Sequence, residues 1–203
     1  MSGTELSRQR IDAVIAFHGH DCPGLAIGIR AAEVALAEIG PQAADEEVVC
    51  ATETDMCAVD AVQFLTGCTL GKGNLIHRDH GKIAFSFWRR SDGRGLRLLY
   101  RPEPDDDPER AELRRKRATV GLDAAERARW QQLRAAHIQA ILEAAPEALF
   151  AIQPLDSPPP ARARALDSLI CERCGEPTME SRTRNFLGQV LCQPCFAEVE
   201  PRI

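Results

Sequence analysis

Aromatic residues are scarce in this 203-residue chain, at 5% with a single tyrosine. That excludes a ladder of exposed rings on which single-stranded nucleic acid could stack. Positive charge is not in excess either. The formal net charge is −5, from 25 Lys and Arg against 30 Asp and Glu, which argues against nucleic acid or an anionic membrane as a partner of the whole protein. No apolar run approaches the roughly 20 residues needed to span a bilayer. The polar opening stretch, Met1 to Arg10, lacks a signal-peptide core. No internal repeat is present, and no GxxxxGK[ST] frame surrounds Gly71-Lys72-Gly73, so a nucleotide loop is not expected. These absences predict a cytoplasmic protein with no membrane partner. The hydrophobic share of 44% and the charged share of 27% are ordinary for a folded chain and exclude wholesale disorder.

Composition changes once, at Pro154 and the run Ser157-Pro158-Pro159-Pro160-Ala161-Arg162. It divides the chain into a main domain over 1–153, a Pro/Arg-rich linker over 154–167 and a cysteine-rich module over 168–203. In the main domain, apolar spacing predicts helices over Leu6–Phe17 and from Pro23 to Gly40, and a short one over Asp60–Thr66. Glu47–Glu53 reads as a strand, Lys82–Arg89 and Leu96–Tyr100 as a hairpin, and Leu149–Ile152 as a last strand. Asp107-Pro108 and Leu122-Asp123-Ala124-Ala125-Glu126 carry helix-start signals for two further helices, the second ended by Pro146. The acids at 105–107 and the bases Arg114 to Arg117 read as one helix whose charges match its macrodipole. Strands and helices without a βαβ rhythm predict an α+β fold, a mixed helix/sheet core domain followed by a zinc ribbon or treble-clef finger.

In a reducing compartment the eight cysteines read as metal ligands or reactive thiols before disulfides. Cys171-x-x-Cys174 and Cys192-x-x-Cys195, seventeen residues apart, give the strongest signal. Two thiolate pairs at that spacing suit tetrahedral Zn²⁺, which supplies the stability so small a module lacks. The module carries four Arg against five Glu, a poor phosphate binder, so its role is read as structural or protein-binding.

A second cluster is His18-Gly19-His20-Asp21-Cys22, between a helix end and a helix start. A helix N-terminus favours a thiolate at Cys22. His20 and Cys22 can reach one ion from a loop, and Cys57 and Cys68 follow. The best ligands are read as His20, Cys22 and Cys57, with His18 and Cys68 next. Zn²⁺ suits mixed His/Cys donors, with nickel or iron as alternatives. Three protein ligands would make a reactive site and four a structural one. Cys50, on a strand of valines, reads as a buried small hydrophobe, and Lys72 as either an anion contact or a solvated lysine on a tight turn. His80 joins a site only if its turn folds over Cys22.

Three segments together resemble the E-subunit family of formylmethanofuran dehydrogenase: FHGHDCPGLAIGIRAA (Phe17–Ala32), CAVDAVQFLTGCTLGKGNL (Cys57–Leu75), and Asp79-His80-Gly81-Lys82 followed by Ala84-Phe85-Ser86-Phe87. The resemblance covers roughly the first hundred residues, and some members also carry a C-terminal finger. It implies an α+β core carrying a metal, a homodimer, and an association with one-carbon redox metabolism, where the named enzyme handles a formyl group with molybdenum or tungsten. The eight cysteines are largely committed to the two clusters, so dehydrogenase activity is not assigned to this chain alone. The leading expectation is a metal-binding accessory or regulatory subunit with a redox-enzyme partner. One rival is a stand-alone enzyme with Cys22 or a metal-bound hydroxide as the reactive group. In that rival Lys72 holds an anionic substrate, and Asp21 or Asp60 orients a histidine. The other rival is a zinc-finger regulator.

Overall fold

Ser7 opens the first helix. In this computed structural model, which describes residues 6–41, 47–101 and 107–200, Ser7 is extended and its side chain accepts from the Arg10 N–H, so α1 runs Arg8–His18. Gly19 closes it at φ 91°, a left-handed cap that costs glycine little. Pro23 presets the backbone for α2 (Pro23–Glu38), which has nine buried residues spread around its circumference. A helix without a polar face belongs in the middle of a fold. Accordingly Ala26, Ile27, Ala31 and Val34 enter one core cluster, while Leu25, Ile29 and Ala32 enter another with Val14 of α1.

The larger cluster lies against a five-stranded sheet of order β2-β1-β3-β4-β5, made of β1 (Val48–Thr52), β2 (Leu75–His77), β3 (Ala84–Arg89), β4 (Gly95–Tyr100) and β5 (Phe150–Pro154). β1 and β2 are parallel, joined through α3 (Ala58–Thr66), and the other neighbours are antiparallel. Cys50, Phe85, Phe87, Leu96 and Leu98 point into the core beneath α2. Cys50 is fully buried, the small hydrophobe the sequence indicates. β2 has no counterpart in the sequence reading, because three residues are too few to carry a period.

α4 (Pro108–Thr119) and α5 (Ala124–Glu143) form a hairpin, with Asp107 capping the first and an Asp123–Glu126 capping box starting the second. Ion pairs Glu109–Arg129 and Lys116–Glu126 join the two helices. Lys116 and Arg117 occupy the last turn of α4, where the dipole favours them. Asp105 and Asp106 lie outside the described residues. Ile138 and Ile141 of α5 enter the core, and α6 (Pro146–Leu149) leads into β5.

The second face of the sheet buries Val49, Ala51 and Trp88, with Ile76 and Leu155 packed against them. Part of its cover comes from the segment expected as a linker. Leu155 N donates to Gly95 O at 2.9 Å, Trp88 Nε1 donates to Ser157 O at 3.0 Å, and the Arg90 guanidinium donates to Pro160 O. A proline run lacks N–H groups but keeps its carbonyls free to accept, so it can be tied down as a strap. The division between units falls after Arg162, later than the expected linker start at 154.

The second unit, residues 163–203, is a mixed fold of its own. β6 (Ser168–Ile170) and β7 (Pro177–Met179) flank the first cysteine turn, and β8 (Thr183–Phe186) and β9 (Gln189–Cys192) form a hairpin. α7 (Gln193–Val199) follows directly. Knuckle, hairpin and helix in that order make a treble-clef arrangement. Its core is small: Cys171, Leu191, Cys192 and Cys195, with Phe186 and Phe196 packed against them.

Candidate metal centre

Gly24 and Gly28 set up the first site. They lie four residues apart, on one face of α2. A Cβ on Gly28 would come within 2.2 Å of Ala58 O, and one on Gly24 within 3.2 Å of Cys57 Cβ. Bare backbone at Gly28, helped by Gly24, lets the start of α3 come this close to the start of α2. The residues capping the two helices, Cys22 for α2 and Cys57 for α3, thereby meet. His18, in the last turn of α1, completes the group. One donor atom from each of His18, Cys22 and Cys57 lies within 4.8 Å of the others.

The hydrogen bonds orient these donors. His18 Nδ1 faces Asp60 Oδ2 at 2.7 Å, and His18 Nε2 faces Cys22 Sγ at 3.8 Å. A carboxylate on Nδ1 fixes the proton there and leaves the Nε2 lone pair for an ion, the carboxylate–histidine–metal pattern. Nitrogen and sulfur on one tetrahedral zinc stand about 3.6 Å apart, so the spacing fits a single ion. Leu25 N donates to Cys22 Sγ at 3.2 Å. Even so, burial pushes the Cys22 thiol up, and the Cys57 sulfur adds to this against the pull of the Leu25 N–H and Arg134. The thiolate expected from the helix start is therefore not favoured by the protein alone. Two sulfurs crowded in a half-dry place want a cation between them.

The gathered set differs from the ranking that sequence suggests. His18, placed behind His20, is the histidine of the group. His20 is exposed and only sets its ring at a tilt against that of His18, with centroids 4.6 Å apart, because the turn at Gly19 sends it outward. Cys68 and Lys72 are parted from the centre. Cys68 Sγ faces Val48 O at 3.4 Å, at the opposite end of β1 from the loop that leads to Cys57. The nine residues of α3 carry the chain back about 13 Å along the strand between them. Lys72 lies near Cys68 and acts on its thiol, not on the group. His80 pairs with Glu53 Oε2 at 3.3 Å instead of joining. Arg97 grips the same carboxylate through Nε at 2.7 Å and a terminal nitrogen at 2.9 Å, holding it below the usual carboxylate range. Asp60, offered with Asp21 as a histidine orienter, sits on His18. Sequence reasoning missed Arg134, whose guanidinium donates to the Asp21 carbonyl beside Cys22. It lies in the middle of α5, away from the capping box, where no local pattern marks it.

In the second unit, Cys171, Cys174, Cys192 and Cys195 bring their sulfurs within 4.8 Å of one another. The N–H groups of Cys174, Cys192 and Arg173 pull the Cys171 thiol down to about 6. The Cys195 thiol is pushed up to about 12, first by Cys192 and then by burial and the other two sulfurs. One sulfur is ready to ionise while those of Cys174 and Cys195 resist, a conflict that a divalent ion resolves.

Comparison with known proteins follows the same division. Residues 166–201 match the prokaryotic dksA/traR C4-type zinc finger. A probable S-adenosyl-L-methionine-binding protein of Archaeoglobus fulgidus is 30% identical over 184 residues, covering 84% of this chain and 49% of that protein. The chain thus spans about half the length of this curated relative. A solved FmdE-like protein from Syntrophus aciditrophicus, described as resembling the E component of a tungsten formylmethanofuran dehydrogenase, shares the fold, with a TM-score of 0.62, 22% identity and full coverage of both chains. Residues 17–151 match the family described as FmdE, molybdenum formylmethanofuran dehydrogenase operon. That span takes in most of the first unit and all three gathered donors, and the chain belongs to the FmdE family, with a C4 zinc finger behind it.

Proposed function

We propose that the first unit holds one zinc ion on His18 Nε2, Cys22 Sγ and Cys57 Sγ, with a fourth position open to an exogenous ligand. The carrying observation is the size of the donor set: among the described residues, no fourth Cys, His, Asp or Glu joins the group. Structural zinc takes four protein ligands, whereas zinc with three keeps a place for a ligand. Nickel and iron remain the alternatives for this donor set. The family's link to a formylmethanofuran dehydrogenase operon supports a setting in one-carbon redox metabolism. There the chain would serve as a cytoplasmic, homodimeric accessory or regulatory subunit beside a redox enzyme.

The open position favours a second reading, a stand-alone enzyme acting on a small anionic substrate. An ion with a free place can polarise a carbonyl or lower the pKa of water. Asp60 would hold the His18 proton on Nδ1 throughout. Lys72 has no part in this reading, since it lies by Cys68. Elemental analysis of the full chain, purified under reducing conditions, tests the site. About two equivalents of metal per chain are expected, one for each donor group, falling to about one in Cys22→Ala and Cys57→Ala. A wild-type protein that holds only the finger's ion, and takes up no zinc, nickel or iron, overturns the proposal.

A further inference from the structure

We infer that Arg134 anchors a small carboxylate ligand at the open position of the His18–Cys22–Cys57 centre. This rests on the metal reading above and adds the ligand's class to it. Arg134 lies on α5, half-buried, and its guanidinium donates to the carbonyl of Asp21, the residue before Cys22. That is its only hydrogen bond among the described residues. A guanidinium offers five N–H donors in a planar fork, so most of its capacity remains available next to the centre.

The charge balance gives this residue its weight. Two thiolates cancel a zinc dication, and the Asp60 carboxylate behind His18 leaves the group negative. A bare centre of that kind repels an anion. Arg134 restores neutrality, and the starts of α2 and α3, capped by Cys22 and Cys57, add two positive dipole ends. An arginine fork matches the two oxygens of a carboxylate better than it matches a point anion. A carboxylate can therefore place one oxygen on the ion and turn the other to Arg134.

The test is cobalt(II) substitution of the full chain, followed by acetate titration read as visible difference spectra. A finger that also takes cobalt has four thiolates and no free place, so it is silent in the difference. Arg134→Gln keeps a donor for the Asp21 carbonyl and removes the charge. Acetate should bind at least about tenfold more weakly to it, as expected when a charged hydrogen bond is lost. Unchanged acetate affinity in Arg134→Gln overturns the inference and leaves the metal reading standing. A wild-type cobalt spectrum that no concentration of acetate alters overturns the open position itself. If Arg134→Gln does not retain cobalt, Arg134→Lys carries the test. It keeps the charge but lacks the fork, acetate should bind several-fold more weakly, and equal affinity overturns the claim.

Discussion

At the scale of single residues, the decisive feature of the first site is one carboxylate. Asp60 lies in the first turn of α3 and holds His18 Nδ1 at 2.7 Å. The His18 side chain is 10% exposed and that of Asp60 39%, so the pair sits at the boundary of the fold, where orientation is not enforced by packing alone. Without the carboxylate the imidazole can carry its proton on either nitrogen, and the tautomer with Nε2–H cannot bind an ion. Asp60→Asn keeps the size and loses the charge. Metal affinity at the first site should fall about 10- to 100-fold, the usual effect of removing such a partner. Chelator competition on the full chain measures it, with the finger's ion as internal reference. An unchanged competition curve would mean that Asp60 plays no part in holding the metal. The residue scale is also where sequence reading reached furthest and erred most locally. The types and neighbourhood of His18, His20 and Cys22 mark the site. Which histidine serves depends on the helix running through His18 and turning at Gly19, a rotation that spacing alone does not reveal.

At the scale of elements, the site is a product of helix approach. α2 and α3 can touch backbone to backbone only because Gly28 has no side chain at Ala58. Gly28→Ala would place a methyl group 2.2 Å from a carbonyl oxygen of another helix, which no rotamer can relieve. The helices must separate, at a cost of about 1–3 kcal/mol for an overpacked contact. Because Cys22 and Cys57 cap these two helices, the same displacement opens the donor group. Gly28→Ala should therefore lower both the thermal midpoint and first-site metal content while leaving the finger's zinc in place. A variant that loses stability but retains full first-site metal would detach the helix contact from the site. Periodicity made α1, α2, α5, β3 and β4 legible, along with the caps at Asp107 and Asp123. It could not show that α3 runs back along β1. For that reason Cys68 and Lys72, only eleven and fifteen positions beyond Cys57 in the sequence, looked closer to the site than they are. The strap over 155–160 was hidden by its own composition, since a proline run reads as a linker whether or not its carbonyls are taken.

At the scale of the whole molecule, the chain joins two units that hold their ions for different reasons. The first has a sheet, a central apolar helix and two packed clusters, so burial alone can sustain it. The second has three cysteines, one leucine and two flanking phenylalanines as its interior, far too little for so short a segment. Its fold and its metal should be one equilibrium. Cys171→Ser removes the sulfur that the N–H groups of Cys174, Cys192 and Arg173 prepare at about 6. The finger should then unfold, lose its zinc and become sensitive to protease beyond Arg162, while the first unit keeps its helical circular dichroism and its own ion. Acid should act on the wild type in the same order. A sulfur whose thiol is depressed in the folded state stabilises that state above the free-thiol range, and the contribution is lost as pH falls through the depressed value. That contribution shrinks from the free-thiol range down to about 6, and zinc, which needs the thiolates, should leave the finger as pH falls while the first unit stays folded. Limited proteolysis with metal analysis at each pH follows both events. A fragment ending at Arg162, which retains the strap held by Trp88 and Arg90, should match the first unit of Cys171→Ser in stability. Collapse of the whole chain in Cys171→Ser, with loss of both ions together, would show that the two units fold as one.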